Sequence, residues 1–267
     1  MLNQATLEKM HDMKMHAMAE AFDQQLGSSQ YAELSFEERT GFLIDTEWTS
    51  RQQRKLARRL KGARLRYQAC LEDVDFKTPR GLDRQLVLSL GTCRWIQEHH
   101  NLLVTGPTGT GKSFLACAFG ERACRSGFST YYVRAPRLLH DLAVARGDGS
   151  YGRLLAKLAK VDLLAIDDWL VAPLTEQQRH DLFEVVEDRY ERAATLIATQ
   201  LPVNNWHEAI GEPTLADAIC DRLIHRAHRI ELKGRSMRER NAPDLQQKKA
   251  APGKKDGKKT RSEGAQG

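Results

Sequence analysis

Three groups of residues in this chain have the types and spacing for phosphate chemistry. The first is GPTGTGKS, in which Gly106, Pro107, Thr108, Gly109, Thr110, Gly111, Lys112 and Ser113 fill every fixed position of a GxxxxGK[ST] loop. Its glycines let backbone N–H groups turn inward around phosphate oxygens. Lys112 can reach the β- and γ-phosphates of a nucleotide, and the Ser113 hydroxyl can hold Mg2+. The second group is Asp167 and Asp168, which close the run LLAIDD 55 residues after Lys112. Asp167 is expected in the Mg2+ shell, and Asp168 is expected to orient and polarise an attacking water. The third is Gln200, just past TLIAT, where a polar side chain can touch the γ-phosphate or the water. An acidic pair at a strand end means little alone. With the complete loop upstream it predicts an ATPase or GTPase site.

Such residues work only if one scaffold edge gathers them. The apolar run 101–105 (NLLVT) predicts a strand before the loop, and 114–125 predicts a helix after it. The start of that helix adds unpaired N–H groups and a partial positive charge. Further strands are predicted over 129–133, 163–168, 195–199 and 226–232, with helices over 136–145, 151–160 and 175–190. Four successive apolar residues before Asp167 indicate a strand buried on both faces, and ligands sit at the carboxyl ends of such strands. The alternation predicts an α/β domain with a parallel sheet between helices. Two helices between the second and third strands exceed what a crossover needs.

Residues 3 to about 70 read as helical, with Leu7, Met10, Met13, Met15 and Met18 as core filler. Ser35 and Glu38 match a capping box. Residues 82–98 read as one helix leading into the first strand. Pro79 and Gly81 break periodicity over 75–81, which reads as a linker. The expected division is a small all-helical domain at 1–74, the nucleotide domain at 75–240 and a basic tail at 241–267.

The 267 residues carry a formal charge of +6, with 41% hydrophobic residues, and the isoelectric point is about 9.1. No apolar run approaches a bilayer span, and the charged N-terminal stretch has no secretory pattern. Five dispersed cysteines suit reduced thiols in a cytoplasm, with Cys117 and Cys124 as small buried side chains. No Cys or acidic cluster completes a zinc pattern around the histidines, so the expected metal is nucleotide-bound Mg2+. The charge is concentrated. Arg51, Arg54, Lys55, Arg58, Arg59, Lys61, Arg64 and Arg66 follow one another without an acid between them. Leu56, Leu60, Ala63 and Tyr67 would form the opposite, apolar face. A solvated helix face is the plain alternative, but unopposed charges repel without an anion, so the run predicts contact with the phosphate backbone of double-stranded DNA. From Lys233 onward there are eleven basic and four acidic residues, and from Asn241 on almost no apolar ones, a composition that predicts disorder.

The blocks GPTGTGKS, LLAIDDWLVAPLT, LIATQLP, TLADAICDRLIHRAHRIELKGRSMR, ARGDGSYGRLLAKLAKVDLL and DVDFKTPRGLD together resemble the IstB-like family of transposition helper ATPases. The likeness runs from about Asn3 to Arg240 and extends to the helicase loader DnaC and the initiator DnaA, all AAA+ ATPases. It implies ATP and Mg2+ as cofactors, a homo-oligomer with ATP at subunit interfaces, DNA, and a cognate transposase as partner. By the same resemblance Asp168 stands where many AAA+ proteins have Glu. One methylene shorter, it must sit closer to the water, which suits slow or partner-triggered hydrolysis. Thr199 and Gln200 occupy the first sensor position, Arg222 the arginine finger, and Arg238 a second sensor. The chain after Arg238 lacks the apolar pattern of a helical lid. Residues 136–160 resemble the loader element that lines a DNA channel. The helical N-terminal domain is similar to the part that meets the transposase or, in loaders, the helicase.

The leading expectation is an ATPase that assembles on DNA and assists an insertion-sequence transposase. A DnaC-type helicase loader would share the whole nucleotide site and differ in its partner. A P-loop kinase would need an acceptor pocket and a positioning base. A DNA-binding protein with a degenerate nucleotide site is opposed by Lys112, Ser113 and Asp167.

Overall fold

A computed structural model describes residues 2–237; Arg238 and the basic tail lie outside the described residues. The N-terminal part is built from α1 (Leu2–Asp12), α2 (His16–Gly27) and the long α3 (Phe36–Ala63). The expected capping box opens α3: the Glu38 amide donates to Ser35 Oγ at 3.2 Å, and the Ser35 amide donates to Glu38 Oε2 at 2.8 Å. α3 ends earlier than the apolar spacing implied. Arg64 takes a left-handed conformation (φ 54), which throws Tyr67 off the helix and onto the nucleotide-binding core. Met13 is not core filler; α1 has ended at Asp12 and the side chain is exposed.

The run 82–98 forms two short helices, α4 (Arg84–Leu90) and α5 (Arg94–Gln97), rather than one. The chain turns at Gly91, and Cys93 adopts φ 61. Arg122 donates to the Gly91 carbonyl at 2.9 Å and the Trp95 indole donates to the Leu90 carbonyl at 3.0 Å, so the break satisfies its own backbone groups.

The remaining elements alternate: β1 (Asn101–Thr105), α6 (Lys112–Arg125), β2 (Thr130–Arg134), α7 (Ala135–Gly147), α8 (Tyr151–Lys160), β3 (Leu163–Asp167), α9 (Glu176–Arg189), β4 (Ala194–Thr199), α10 (Trp206–Ile210), α11 (Pro213–Ile224) and β5 (Ala227–Glu231). All five strands are parallel, in the spatial order β2-β3-β4-β1-β5. One face packs on α4–α6 and the other on α7–α11, giving two apolar cores. Ala69 and Val74 belong to the first core, with Leu65, Tyr67 and Leu71 against it. Cys117 belongs to the same core, Cys124 is fully buried further along α6, and burial pushes both thiols up. Arg189, also buried, donates to Thr195 Oγ1 and to the carbonyl of Val161, tying α8 to β4; burial pushes its guanidinium down to about 9.

The chain after β5 crosses back over the glycine-rich loop. Leu232 N donates to the Thr105 carbonyl at 2.8 Å, and Met237 N donates to the Gly109 carbonyl at 2.9 Å. Gly106 sits at φ 146, and a Cβ there would stand 2.4 Å from the Leu232 carbonyl oxygen. Gly106→Ala should therefore lower stability by roughly 1–3 kcal/mol from backbone strain, before the clash is relieved. Denaturant unfolding of the nucleotide-free protein measures this, and an unchanged midpoint would show that the loop accommodates a side chain.

Candidate nucleotide site

The carboxyl ends of β1, β3 and β4 converge on a cleft of about 620 Å³. Thr108, Gly109, Gly111, Lys112 and Ser113 line it from the loop, Asp168 from the end of β3 and Gln200 from the end of β4. Gly109 and Gly111 have φ 82 and 98, the region in which glycine carries no steric cost. Thr110 is buried and donates to the Pro107 carbonyl at 2.8 Å, which stiffens the loop from inside. Lys112 opens α6; its ammonium donates to the carbonyls of Gly106 and Pro107 at 2.7 and 2.8 Å.

The two acids have different surroundings. Asp167 is buried at the end of β3, where the Tyr132 hydroxyl donates to one oxygen at 2.6 Å and the Asp168 amide to the other at 2.9 Å. Burial, then the hydrogen bond to Asp167, drives the Tyr132 hydroxyl pKa far up, so Tyr132 stays a neutral donor. Asp168 lies just beyond the strand, at φ 55, and is only partly buried. Its Oδ2 accepts from Arg134 Nε at 2.6 Å, and this bond raises the Arg134 pKa. Asp167 makes no ion pair among the described residues. One carboxylate and one hydroxyl, Asp167 and Ser113, suit Mg2+, which takes few protein ligands and completes its octahedron with phosphate oxygens and water. No cluster of three or more His, Cys, Asp or Glu that would form an all-protein cage occurs among the described residues.

The two sensor candidates separate. Thr199 is buried; its hydroxyl donates to the Trp169 carbonyl at 2.6 Å and accepts from the Leu201 amide at 3.1 Å. Gln200 is exposed to the cleft, and its Oε1 accepts from Thr108 Oγ1 at 2.6 Å. Arg222 lies far from both. The Asn101 side chain, at the start of β1, donates to the carbonyls of Arg222 and Leu223, so Arg222 stands at the opposite edge of the sheet. It pairs with Glu187, not with Asp217 or Asp221, and lies 5.3 Å from the Phe183 ring centroid and 5.7 Å from that of Tyr190.

The basic run also divides. Arg51 and Arg54 are not unopposed: both reach Glu47, one and two turns upstream on α3, at 2.7 and 3.2 Å. The Glu47 pKa is lowered because the hydrogen bonds and charges of its partners outweigh its desolvation. Lys55, Arg58 and Lys61 are exposed, and Arg59 is half-buried. Arg64 turns onto Tyr131 of β2, and Arg66 lines the nucleotide cleft.

Sequence reasoning gave no part in this cleft to four residues that line or support it, and had set one of them, Arg66, among the DNA contacts. Arg134 follows from register, since it pairs across the sheet with Asp167. Tyr132 and Arg66 left no such trace, because their roles come from side-chain reach. Arg80, the lone arginine of the 75–81 segment, is buried and donates to the Thr110 carbonyl at 2.7 Å and the Asp75 carbonyl at 3.0 Å.

A parallel sheet with this strand order, a glycine-rich loop after β1 and an acidic pair after β3 define an AAA+ P-loop ATPase fold behind a helical N-terminal region. The chain belongs to the family described as IstB-like ATP binding protein, which it matches over residues 8–244. An insertion-sequence ATP-binding protein of Sinorhizobium fredii is 52% identical over 238 residues, covering 89% of this chain and 97% of the relative. The ATP-binding protein of insertion sequence IS1162 from Pseudomonas fluorescens is 48% identical, covering 76% and 88%. Among solved structures, DnaI has a TM-score of 0.53 at 21% identity, covering 62% of this chain and 92% of that one. The DnaC helicase loader has a TM-score of 0.53 at 17% identity, covering 62% and 98%. No helix among the described residues is long and apolar enough to cross a membrane.

Lys112→Ala should weaken ATP binding about 10- to 100-fold, the loss of one or two charge-assisted hydrogen bonds to phosphate. Equilibrium titration with a fluorescent ATP analogue is the measurement. Wild-type affinity would remove Lys112 from the site.

Proposed function

We propose that this protein hydrolyses ATP, assembles on double-stranded DNA as a homo-oligomer and works with the transposase of an insertion sequence. The observation that carries the reading is the single cleft in which Lys112, Ser113, Asp168 and Gln200 meet, in a chain whose relatives are named as insertion-sequence ATP-binding proteins. Those names favour transposition over the helicase-loader reading, for which the support is likeness of fold.

In this reading the loop amides and Lys112 hold the phosphates, and Ser113 and Asp167 hold Mg2+. When bound, Mg2+ neutralises charge on the phosphate oxygens. Asp168 orients the attacking water and accepts its proton. The Arg134 guanidinium must leave Asp168 or move with it, because an ion-paired carboxylate is a weaker base. Gln200 is the sensor that faces the nucleotide, and Thr199 fixes the turn that carries Asp168. Arg238 remains assigned to a second sensor.

The exposed cations of α3, Lys55, Arg58 and Lys61 with Arg59 beside them, are the DNA backbone contacts, and the 136–160 segment lines the DNA path. Phe36, Ile44 and Trp48, exposed at i, i+8 and i+12 on α3, suit a protein partner. In this reading the first seam moves from residue 74 to near Arg64, because Leu65, Tyr67 and Ala69 pack with the nucleotide-binding core.

Asp168→Asn should retain ATP binding yet lower turnover about 100-fold or more, since the amide cannot accept a proton. Its complexes with duplex DNA should persist in ATP. Phosphate release and gel-filtration mass measure the two effects; normal turnover would dismiss Asp168 as the base.

Arg222→Ala should bind ATP as wild type and lose about 10³-fold or more in turnover, the scale of an arginine finger. Mixed with inactive Lys112→Ala it should regain activity, because intact Arg222 from one protein serves the intact loop of the other. Wild-type turnover by Arg222→Ala alone, or no rescue in verified mixed oligomers, would leave the Glu187 pair as the function of Arg222.

A further inference from the structure

We propose that Arg66 is a ligand, supplied by the same chain, for the phosphate groups of the bound nucleotide rather than a DNA contact. The proposal rests on the nucleotide-site reading above and deepens it.

Arg66 is three residues past the end of α3, and the chain around it is fixed. Arg64 reverses direction at φ 54 and lies 5.7 Å from the Tyr131 ring centroid. Leu65 is seated so closely on α6 that a Cβ on Gly120 would come within 2.9 Å of it. Tyr67 packs on the core cluster and lines the cleft. Between these anchors Arg66 lines the same cleft as Ser113, Phe114 and Arg134.

Its guanidinium lies 5.2 Å from the Tyr67 ring centroid and makes no ion pair among the described residues. Its charge acts on the Tyr132 hydroxyl, which is bonded to Asp167, and on the Cys117 thiol, one turn after Ser113. It shares the cleft lining with Ser113, in the first turn of α6, and with Asp168.

The neighbouring cations are already engaged. Arg134 holds Asp168, and Lys112 holds loop carbonyls. Of the carboxylates on the cleft wall, Asp75 accepts from Thr78 and from the Lys77 amide, while Asp73 is exposed and makes no ion pair. An exposed planar fork without a carboxylate, in a cleft lined by the glycine-rich loop, is matched by phosphate oxygens, which take arginine bidentately. DNA would have to enter a nucleotide cleft to reach the same group. Through Arg66, nucleotide occupancy is joined directly to the end of the helix that carries the basic run.

The test uses the full chain with Arg66→Ala and Arg66→Lys. A fluorescent ATP analogue is titrated without DNA, and duplex DNA is titrated over a salt series without nucleotide. Arg66→Ala should weaken nucleotide binding about tenfold or more, the scale of one charged hydrogen bond, and Arg66→Lys should fall between. The slope of log affinity for DNA against log salt should not move. Unfolding midpoints of the nucleotide-free variants should match wild type, while the rise in midpoint on adding ATP should shrink. Wild-type nucleotide affinity in both variants would overturn the proposal. So would a DNA salt slope reduced by about 0.9, the signature of one lost phosphate contact on DNA. If Lys112→Ala also kept wild-type nucleotide affinity, the reading of the site itself would fall, and this inference with it.

Discussion

The site depends on one topological constraint: β4 lies between β1 and β3. Neighbouring strands stand about 4.8 Å apart, so one inserted strand separates the loop after β1 from the acids after β3 by roughly 10 Å. That gap accommodates a terminal phosphoryl group and a water. The end of β4 then controls the acids. Its Ala198 carbonyl accepts from the Trp169 amide at 3.2 Å, and Thr199 donates to the Trp169 carbonyl at 2.6 Å. The turn that sets Asp168 at a positive φ is therefore clamped by the strand that presents Gln200. Loosening β4 would disturb loop, acid and sensor together.

Much of this was legible in order but not in space. The loop motif, the acidic pair and the alternation of strands and helices fixed the elements to within a few residues, because buried parallel strands leave continuous apolar runs such as LLAI. The spatial order of the strands leaves no mark on local periodicity, so the intervening β4 could not be read. Nor could the break at Gly91–Cys93, which depends on Arg122 and Leu71 arriving from elsewhere. The division of Thr199 from Gln200 required knowing which of two adjacent residues faces inward at the strand end.

Charge was the least legible property. Eight cations in sixteen residues read as one surface, yet they reach three environments. Arg51 and Arg54 are drawn to Glu47, a buried acid whose own helix position precedes the run. Arg64 and Arg66 lie beyond the helix end and turn inward to the ATPase core. What remains is a shorter exposed group centred on Lys55 and Arg58. A window counting net charge sees no acid because Glu47 falls just outside it. It sees no helix end because Arg64 is an ordinary residue that enters the left-handed region only under tertiary packing.

Arg222 shows how topology constrains function where side-chain contacts mislead. Its pairing with Glu187 and its rings of Phe183 and Tyr190 describe a comfortable local residue. Its backbone, however, is bonded to Asn101, the first residue of β1, whereas the phosphate loop begins after Thr105, the last. Four strand rises separate those ends by roughly 13 Å, more than one side chain spans. Arg222 therefore cannot serve the nucleotide of its own chain. In the homo-oligomer proposed above, the same distance would leave Arg222, near the end of α11, for the site of a neighbouring copy. A catalytic part for Arg222 then requires assembly, and requires the guanidinium to leave its Glu187 partner on contact.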